Sequence, residues 1–439
     1  MSVADRSMGL GLRALGRFAG SDLVDRLGIR KQAEGVVYRA TRDGFKAVGA
    51  ANRIFRQVRG NGNGRAARLR PSASGVFDLT PTDEQQMLQE AFRDFAAERL
   101  RPAALRADEA TAAPRELLDQ ANELGLTMLG VPEELGGAVS ERSTVTAVLA
   151  AEALAHGDMG LAVAALAPAG VATALSLWGD ADQQATYLPP LVSEDVPAAA
   201  LALMEPRALF DPFALRTTAR IDGADYVLDG VKSLVPRATE ADLLVVAAEI
   251  AGHGPGLFLV EGGTPGLLAK PAPAMGVRAA ATGEVLLDGV RLPARALIGD
   301  GAPEVYAECV RRARLAWCAL AVGTARAVLD YVIPYVNERV AFGEPISHRQ
   351  AVAFTISNIA IELDGMRLAT LRAASRADMG KDFGREVALA RQLCSEKGAA
   401  IGSDGVQLLG GHGYIKEHPV ERWYRDLRAV GLAEGALLV

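Results

Sequence analysis

Apolar residues recur with the helical period of 3.6 through the region that follows residue 76. The series begins at FDLTPTDEQQMLQEAFRDFAAERLRP, where Thr80 suits an N-cap, Pro81 suits the first helical position and Asp83 stands three residues after the cap. The same period continues through PRELLDQANELGL, STVTAVLAAEALAHGD and the alanine-rich stretch Leu161 to Trp178. The pattern predicts a helical region whose first helix begins at Thr80 and ends before Pro102.

Short β-rich runs replace the helical period between about Ala198 and Gly299. They read RTTARIDGADYVLDGVKSLV, ADLLVVAAEI, GPGLFLVEGG and GEVLLDGVRLP, and turn residues separate them. This region is predicted to be a small antiparallel β domain. After Pro303 the helical period returns, and a short helix follows Pro419. The predicted long helices run from Glu304 to Arg339, from Arg349 to Met379 and from Gly384 to Leu409.

The order of helices, strands and helices predicts a mainly α protein with one β domain. We place the boundaries at residues 76–197 for the first helical domain, 198–299 for the β domain and 300–439 for the second helical domain. The composition agrees with a globular protein of this kind, because half of the 439 residues are hydrophobic and 23% are charged. Three cysteines lack paired or metal-like spacing and are expected to be buried thiols, and no metal site is predicted. The sequence start has no continuous apolar signal core, and no run of transmembrane length is expected in the chain. A cytoplasmic protein is therefore expected.

Residues 1–75 differ from the rest in charge. They hold fifteen Lys and Arg against five acidic residues, a net charge of +10, which leaves −16 for the remainder. They are interpreted as a basic amphipathic extension that ends in a Gly-, Asn- and Ser-rich linker. Such an arm suits an anionic membrane surface or an acidic protein face, its own body included. Nucleic acid is not expected, because the acidic body opposes binding and no aromatic platform accompanies the charge.

Two motifs in the last third suit the binding of a phosphate-bearing ligand. Arg339 of ERVAFG offers a planar fork of donors to a pyrophosphate, although an isolated surface arginine would more often pair with Glu338 or Glu344. In QLLGGHGY, paired glycines end a helix and let the backbone approach a ligand, while the Gln407 amide both donates and accepts hydrogen bonds.

Six stretches, in order and spacing, resemble the acyl-CoA dehydrogenase family of flavoproteins from about Phe77 to Val439. They are VPEELGG, ALMEP ahead of YVLDGVK, ERVAFGEPISHRQAV, QLLGGHGY and PVERWYRDLR. The resemblance implies a middle β-barrel or sandwich and a C-terminal four-helix bundle. It also implies FAD, an acyl-CoA substrate, an electron-transferring flavoprotein as electron acceptor, and a homodimer or homotetramer in which neighbouring chains share each FAD. The implied FAD-binding residues are Arg339, Phe342, Gln350, Gln407, Gly410, Gly411 and Met204, and the implied substrate-binding residues are Arg314 and Phe210.

The resemblance also suggests a catalytic residue. Family members carry their glutamate shortly after an Arg-Asp pair, and counting from Arg425 and Asp426 leads to Glu434, a lone charge in an apolar stretch. Abstraction of the weakly acidic proton beside a thioester carbonyl needs a base, and an apolar pocket strengthens a carboxylate because burial disfavours its charged form. The alternative is a frayed carboxylate in solvent near the chain terminus.

Two stretches depart from the family pattern around the flavin ring. The loop after ALM reads EPRALFDP where relatives have small residues, and the strand segment KSLVP replaces Lys-x-Trp-Ile-Thr. Three functions are therefore considered. The first is an FAD-dependent acyl-CoA dehydrogenase with Glu434 as base. The others are a non-catalytic partner subunit of such a complex and a membrane-recruited scaffold that reuses the fold.

Overall fold

The computed structural model describes residues 79–140 and 142–437. The basic extension predicted for residues 1–75 lies outside them. The described part opens with helices, as the apolar period predicts. These are α1 (Asp83–Phe95), α2 (Arg101–Ala110), α3 (Arg115–Glu123), α4 (Thr144–Gly157), α5 (Met159–Trp178) and α6 (Ala181–Leu191).

The predicted start of the first helix is wrong. Its N-cap is Thr82, whose hydroxyl accepts from the Gln85 amide at 3.2 Å while the Gln85 side chain accepts from the Thr82 amide at 3.0 Å. This reciprocal pair makes Thr82 the cap residue. Helix α1 ends before Pro102, as predicted, but further helical turns follow it directly. A π-helical turn, Ala96–Leu100, joins α1 to α2, and the proline falls in the first turn of α2, where its missing N–H is tolerated.

The middle region is an eight-stranded sheet in the order β6-β7-β3-β2-β4-β5-β8, with β1 also on β4. Its strands are β1 (Ala199–Ala202), β2 (Thr218–Asp222), β3 (Asp225–Val235), β4 (Leu243–Ile250), β5 (Gly254–Glu261), β6 (Leu267–Pro271), β7 (Gly283–Pro293) and β8 (Leu297–Ile298). The antiparallel prediction is wrong for two pairings, since β1 and β2 both run parallel to β4. They pair with successive stretches of β4, so the 203–217 loop between them bulges from the sheet. This loop carries EPRALFDP.

A buried ion pair fixes the base of the 203–217 loop. Lys232 is fully buried, and its Nζ donates to a Glu205 carboxylate oxygen at 3.1 Å and to the Leu203 carbonyl at 3.3 Å. Glu205 also accepts from the amides of Arg216 and Thr217. Burial lowers the pKa of Lys232 to about 8, against the opposing effect of Glu205. Both ends of the loop are thus tied to one carboxylate.

Long helices return after the sheet, within one residue of the predicted boundaries. They are α7 (Pro303–Glu338), α8 (Gln350–Asp378), α9 (Gly384–Leu408) and α10 (Val420–Leu427), with a two-stranded ribbon of β9 (Val340–Ala341) and β10 (Glu344–Pro345) between α7 and α8. Helices α7, α8 and α9 pack against one another and α10 packs on α9, while α4 lies against α7. One hydrophobic core therefore spans both helical regions. Cys309, Cys318 and Cys394 are buried and free, as predicted.

Two helices correct the expectation that no segment has transmembrane length. Helices α5 and α7 are long and apolar enough to span a membrane, but 67% of each qualifying window is buried inside the protein. Helix α5 carries no charged side chain. Its side chains pack into the core together with those of α4 and α7. Apolar composition in these helices is thus accounted for by burial in a helical core.

Candidate active site

A sharp turn after α10 points Glu434 inward. Glu434 and Gly435 both have positive φ, at 56° and 108°. A Cβ on Gly435 would lie 2.7 Å from Pro212 Cδ and 2.8 Å from Arg314 Nη2, so glycine is needed here for space as well as for conformation. The strained conformation of Glu434 is held by its surroundings, which is common at functional sites. We call residues 431–437 the Glu434 turn.

Three separate elements hold the backbone of the Glu434 turn. From α7, Arg314 Nε donates to the Glu434 carbonyl at 2.9 Å. From α9, Arg391 Nη2 donates to the Gly435 carbonyl. From the 203–217 loop, the Phe210 carbonyl accepts the Ala436 amide at 2.9 Å. The turn is thus fixed between both helices and the sheet.

The Glu434 carboxylate does not lie frayed in solvent. Its Oε2 atom is buried and has no hydrogen-bond partner among the described residues. Burial raises the pKa of Glu434, and the opposing influences, in order, are the Arg391 charge, a hydrogen bond from Trp317, and the charges of Arg314 and Lys232. A buried oxygen with a raised pKa and a free lone pair is suited to accept a proton.

The cationic groups around Glu434 are themselves desolvated. Arg391 is 3% exposed, and burial lowers its pKa to about 10. Its Nη1 atom is buried and has no hydrogen-bond partner within the described ranges. Burial also lowers the pKa of Arg314, which the Glu434 charge opposes. Charges interact more strongly in such an environment than in water, so each arginine influences the protonation of Glu434.

The unusual EPRALFDP loop forms one wall of this site. The Phe210 ring is buried and lies 5.3 Å from the Arg207 guanidinium, whose Nη2 in turn donates to the Asp211 carbonyl at 2.9 Å. The Tyr306 hydroxyl of α7 donates to the Pro212 carbonyl at 2.5 Å. The larger residues of this loop therefore pack internally and against α7. Phe210, predicted to contact substrate, reaches the Glu434 turn through its backbone while its ring is directed into the protein.

Five of the predicted cofactor-binding residues line a single groove of about 1120 Å³ at the end of α9. They are Arg339, Phe342, Gln407, Gly410 and Gly411. The Phe342 ring is 96% exposed, and Arg339 has no ion-pair partner among the described residues, in contrast to the surface pairing considered for it. A Cβ on either glycine would meet no atom within 4 Å, so their backbone is open to a ligand. Donors and open backbone of this kind fit a pyrophosphate.

The other predicted residues fall elsewhere. Gln350 is the first residue of α8 and is absent from the groove lining, although its neighbours Arg349 and Ala351 belong to it. Met204 lies just after β1, where its carbonyl accepts the Ser233 amide at 3.0 Å. The structure thus brings most of the predicted residues into two groups, one in the groove and one at the Glu434 turn, and leaves Gln350 and Met204 outside both.

Sequence reasoning missed Trp317, Arg391 and Lys232 beside Glu434. The sequence did contain a signal for Arg391. In EVALARQLC, the helical period places this charged residue on the same face as the buried Val387, Ala390 and Cys394. A charge on the apolar face of a helix calls for a buried partner. That partner, a backbone carbonyl 44 residues later in the chain, has no sequence signature.

Comparison with known proteins gives matches along most of the chain. Residues 82–195, 200–290 and 300–437 match the models of the acyl-CoA dehydrogenase N-terminal, middle and C-terminal domains. A probable acyl-CoA dehydrogenase of Bacillus subtilis, YngJ, is 36% identical over 82% of this chain and 96% of its own length. The mitochondrial short-chain specific acyl-CoA dehydrogenase of Bos taurus is 34% identical over 80% of this chain and 87% of its length.

A solved structure shows the same three-domain fold. It is a glutaryl-CoA dehydrogenase of Mycobacterium smegmatis in complex with FADH2, with a TM-score of 0.75 and 26% identity. The match covers 82% of this chain and 92% of that one. The N-terminal helices, middle sheet and C-terminal helices predicted from the sequence are therefore confirmed as one known architecture.

Proposed function

Because the chain belongs to the acyl-CoA dehydrogenase family, whose members are oxidoreductases acting on CH–CH groups, we propose that it dehydrogenates a short acyl-CoA with Glu434 as the base. The observation that carries the proposal is the buried Glu434 Oε2 atom, which has no hydrogen-bond partner among the described residues. A non-catalytic partner subunit or a scaffold, the two alternatives, would gain nothing from a desolvated carboxylate. Similarity to a short-chain specific relative supports the substrate class.

In this mechanism the residues of the chain carry out the transfer of one proton. The Glu434 Oε2 atom takes the proton from the carbon next to the thioester carbonyl, and the raised pKa of the carboxyl makes it a stronger base. Arg314 and Arg391 keep the Glu434 turn in place, so the oxygen does not have to be ordered during the reaction. The 203–217 loop adds a third support, because the Phe210 carbonyl accepts the Ala436 amide. Bound FAD would supply the acceptor for the hydride that leaves the neighbouring carbon.

The groove at the end of α9 is where we place the adenosine and pyrophosphate end of FAD. Its exposed Arg339 guanidinium can donate to phosphate, the Gln407 amide can bond a polar edge, and the open backbone of Gly410 and Gly411 allows close approach. Similarity to a dehydrogenase solved with FADH2 supports the choice of cofactor.

Replacing Arg339 with Ala is expected to weaken FAD binding by about ten- to a hundredfold, the loss typical of one charge-assisted hydrogen bond. The measurement is the FAD dissociation constant of refolded or flavin-stripped protein, followed by flavin fluorescence. Arg115→Ala, which removes an exposed arginine of α3 paired with Asp119, should leave the constant unchanged. Equal FAD affinity in wild type and Arg339→Ala would show that this groove does not hold the cofactor.

Self-association is proposed through α8. Phe354, Ile361 and Leu368 follow one another at seven-residue spacing, which places them on one face of the helix, and each is more than half exposed. Monomers rarely expose such a contiguous apolar stripe, whereas a second copy of the chain would cover it. The groove beside the start of α8 would then lie near this interface, in keeping with an FAD shared between neighbouring chains.

Ile361→Asp is expected to convert the predicted dimer or tetramer into smaller species, because it buries a charge in the proposed contact. Light scattering coupled to gel filtration measures the mass. Leu268→Asp, which introduces the same charge at an equally exposed apolar residue of β6, serves as the matched control. A wild-type protein that is monomeric at high concentration, or an Ile361→Asp variant of unchanged mass, would contradict the proposal.

Electron transfer and location complete the proposal. We expect an electron-transferring flavoprotein to reoxidise the enzyme, since the reduced cofactor must pass its electrons to an acceptor. We also propose a cytoplasmic enzyme, whose basic residues 1–75 attach it peripherally to anionic membrane or to an acidic partner. Attachment of this kind weakens as salt concentration rises.

A further inference from the structure

Lys232 of β3 is a buried cation whose charge acts on the Glu434 carboxylate. Its side chain has no solvent exposure, and its ammonium group donates to Glu205 and to the Leu203 carbonyl. The proton transfer proposed for Glu434 gives this ammonium group no part. Burial of an ammonium group costs free energy, and an apolar side chain could fill the same space. The position of the charge therefore calls for an explanation.

Lys232 and its neighbour on β3 hold the start of the 203–217 loop. The Ser233 amide, next to Lys232, donates to the Met204 carbonyl at 3.0 Å. Glu205, which accepts from the Lys232 ammonium, also accepts two backbone amides from the far end of the loop, the nearer at 2.8 Å. Hydrogen bonds to an ionised carboxylate are stronger than those to a neutral group. The Lys232 charge thus supports both ends of the loop.

The middle of the 203–217 loop lies against the Glu434 turn at two points. The Phe210 carbonyl accepts the Ala436 amide at 2.9 Å. The Pro212 ring lies beside Gly435, where an added Cβ would come within 2.7 Å of the proline Cδ. Since the ends of the loop are tied to one ion pair, the position of its middle depends on that pair. A continuous series of contacts therefore leads from Lys232 to the turn that carries Glu434.

Lys232 also acts on Glu434 through its charge. Burial lowers the pKa of Lys232 to about 8, and the negative charges of Glu205 and Glu434 oppose this change, whereas Arg207 adds to it. Conversely, the Lys232 charge lowers the pKa of Glu434 against the effect of burial. The other groups that lower the pKa of Glu434 are Arg391, Trp317 and Arg314. At neutral pH, the Lys232 charge therefore favours the ionised form of the proposed base.

We propose that Lys232 is a positioning residue for the dehydrogenation: through Glu205 it fixes the loop that supports the Glu434 turn, and its charge favours the carboxylate form of Glu434. This inference rests on the proposed function. A base removes the α-proton only when it is ionised, and a displacement of about 1 Å typically costs about a hundredfold in rate. Lys232 provides for both requirements from a different domain of the protein.

The test uses FAD-loaded protein and Lys232→Met, which replaces the ammonium group with an uncharged chain. Hydrogen exchange with mass spectrometry follows the amides of residues 203–217 and 431–437, and flavin reduction by butyryl-CoA is measured across pH. Both segments should exchange about tenfold faster, the loss typical of one charge-assisted hydrogen bond. Flavin reduction should be about a hundredfold slower at neutral pH, and its acidic limb should move to higher pH.

Lys270→Met is the matched control for this variant. It removes an exposed lysine of β6 that pairs with Glu284 at 2.7 Å, and it should match wild type in exchange, rate and pH limb. If Lys232→Met does not fold, because it leaves the Glu205 charge buried without its partner, the double variant Lys232→Met, Glu205→Gln takes its place. Both members of the pair are then neutral, and the same faster exchange and shifted limb are expected.

The outcomes separate the inference from the proposed function. Wild-type exchange of residues 431–437 in the folded variant would overturn the inference, because the turn would not depend on Lys232. A rate that falls equally at every pH, with an unmoved acidic limb, would indicate a merely structural role and would also overturn it. Faster exchange in both segments of a protein whose flavin no acyl-CoA reduces would support the positioning of the turn by Lys232 and reject the proposed reaction.

Discussion

Glu434→Gln is expected to lower the rate of flavin reduction by an acyl-CoA at least about a thousandfold, within the range that a general base contributes. The amide keeps the shape of the side chain but cannot accept the α-proton. The Glu434 turn should survive, because Arg314 and Arg391 bond to backbone carbonyls that the substitution leaves in place. Rapid mixing of oxidised enzyme with substrate, followed by flavin absorbance, measures the rate.

Flavin content is the control for this variant. Arg339, Gln407 and the two glycines line the groove, and Glu434 does not. FAD occupancy should therefore equal that of wild type. Glu421→Gln, a charge-neutralising change at a half-buried glutamate of α10, should retain nearly full activity. A Glu434→Gln variant that carries FAD and is reduced as fast as wild type would assign the proton abstraction to another group.

Arg391→Met is expected to reduce the rate of flavin reduction by about a hundredfold, the loss that a displacement of about 1 Å typically causes. The buried guanidinium holds the Gly435 carbonyl, and methionine leaves that carbonyl without this donor. Loss of the charge should also raise the pKa of Glu434 further, because Arg391 is the strongest influence that opposes burial there. The base works deprotonated, so the acidic limb of the rate profile should move to higher pH.

The variant Arg391→Lys separates the effect of the charge from that of the hydrogen-bond geometry. It keeps the positive charge but not the guanidinium geometry, so the pH limb should return toward that of wild type even if the rate recovers only in part. The measurement is flavin reduction across pH in all three proteins, with Arg314, Lys232 and Trp317 unchanged around Glu434. A merely structural role would lower the rate equally at every pH, and an unmoved limb in Arg391→Met would reject the electrostatic role.

Helical period and motif order were sufficient to predict the fold. The three long C-terminal helices were located within one residue, because each is long, strongly periodic and bounded by Pro or Gly. The errors concern the cap of α1 and the direction of two strand pairings. Two threonines precede α1, and only the hydrogen bonds with Gln85 select Thr82 as the cap. The parallel pairing of β1 and β2 with β4 depends on a 15-residue excursion of the chain, which strand patterns do not report.

The candidate site was predictable only in part, and for a related reason. Glu434 stood out as a charge in an apolar segment, and the groove motifs were contiguous in sequence. Arg391 and Lys232 reach the site from α9 and β3, and their partners lie tens of residues away. The sequence shows only that the 203–217 loop has larger residues than its relatives have. In the structure its large side chains pack against each other and α7, while its backbone supports the Glu434 turn.

The most direct test of the proposed reaction is anaerobic mixing of FAD-loaded wild-type protein with butyryl-CoA, with flavin absorbance recorded over time. If Glu434 and bound FAD act as proposed, the absorbance of oxidised flavin disappears, one crotonyl-CoA forms per flavin, and substrate deuterated next to the carbonyl reacts more slowly. The deuterium effect is included because it reports the proton that Glu434 removes. Protein that holds FAD but keeps it oxidised with butyryl-CoA and with longer and branched acyl-CoA thioesters would contradict the account.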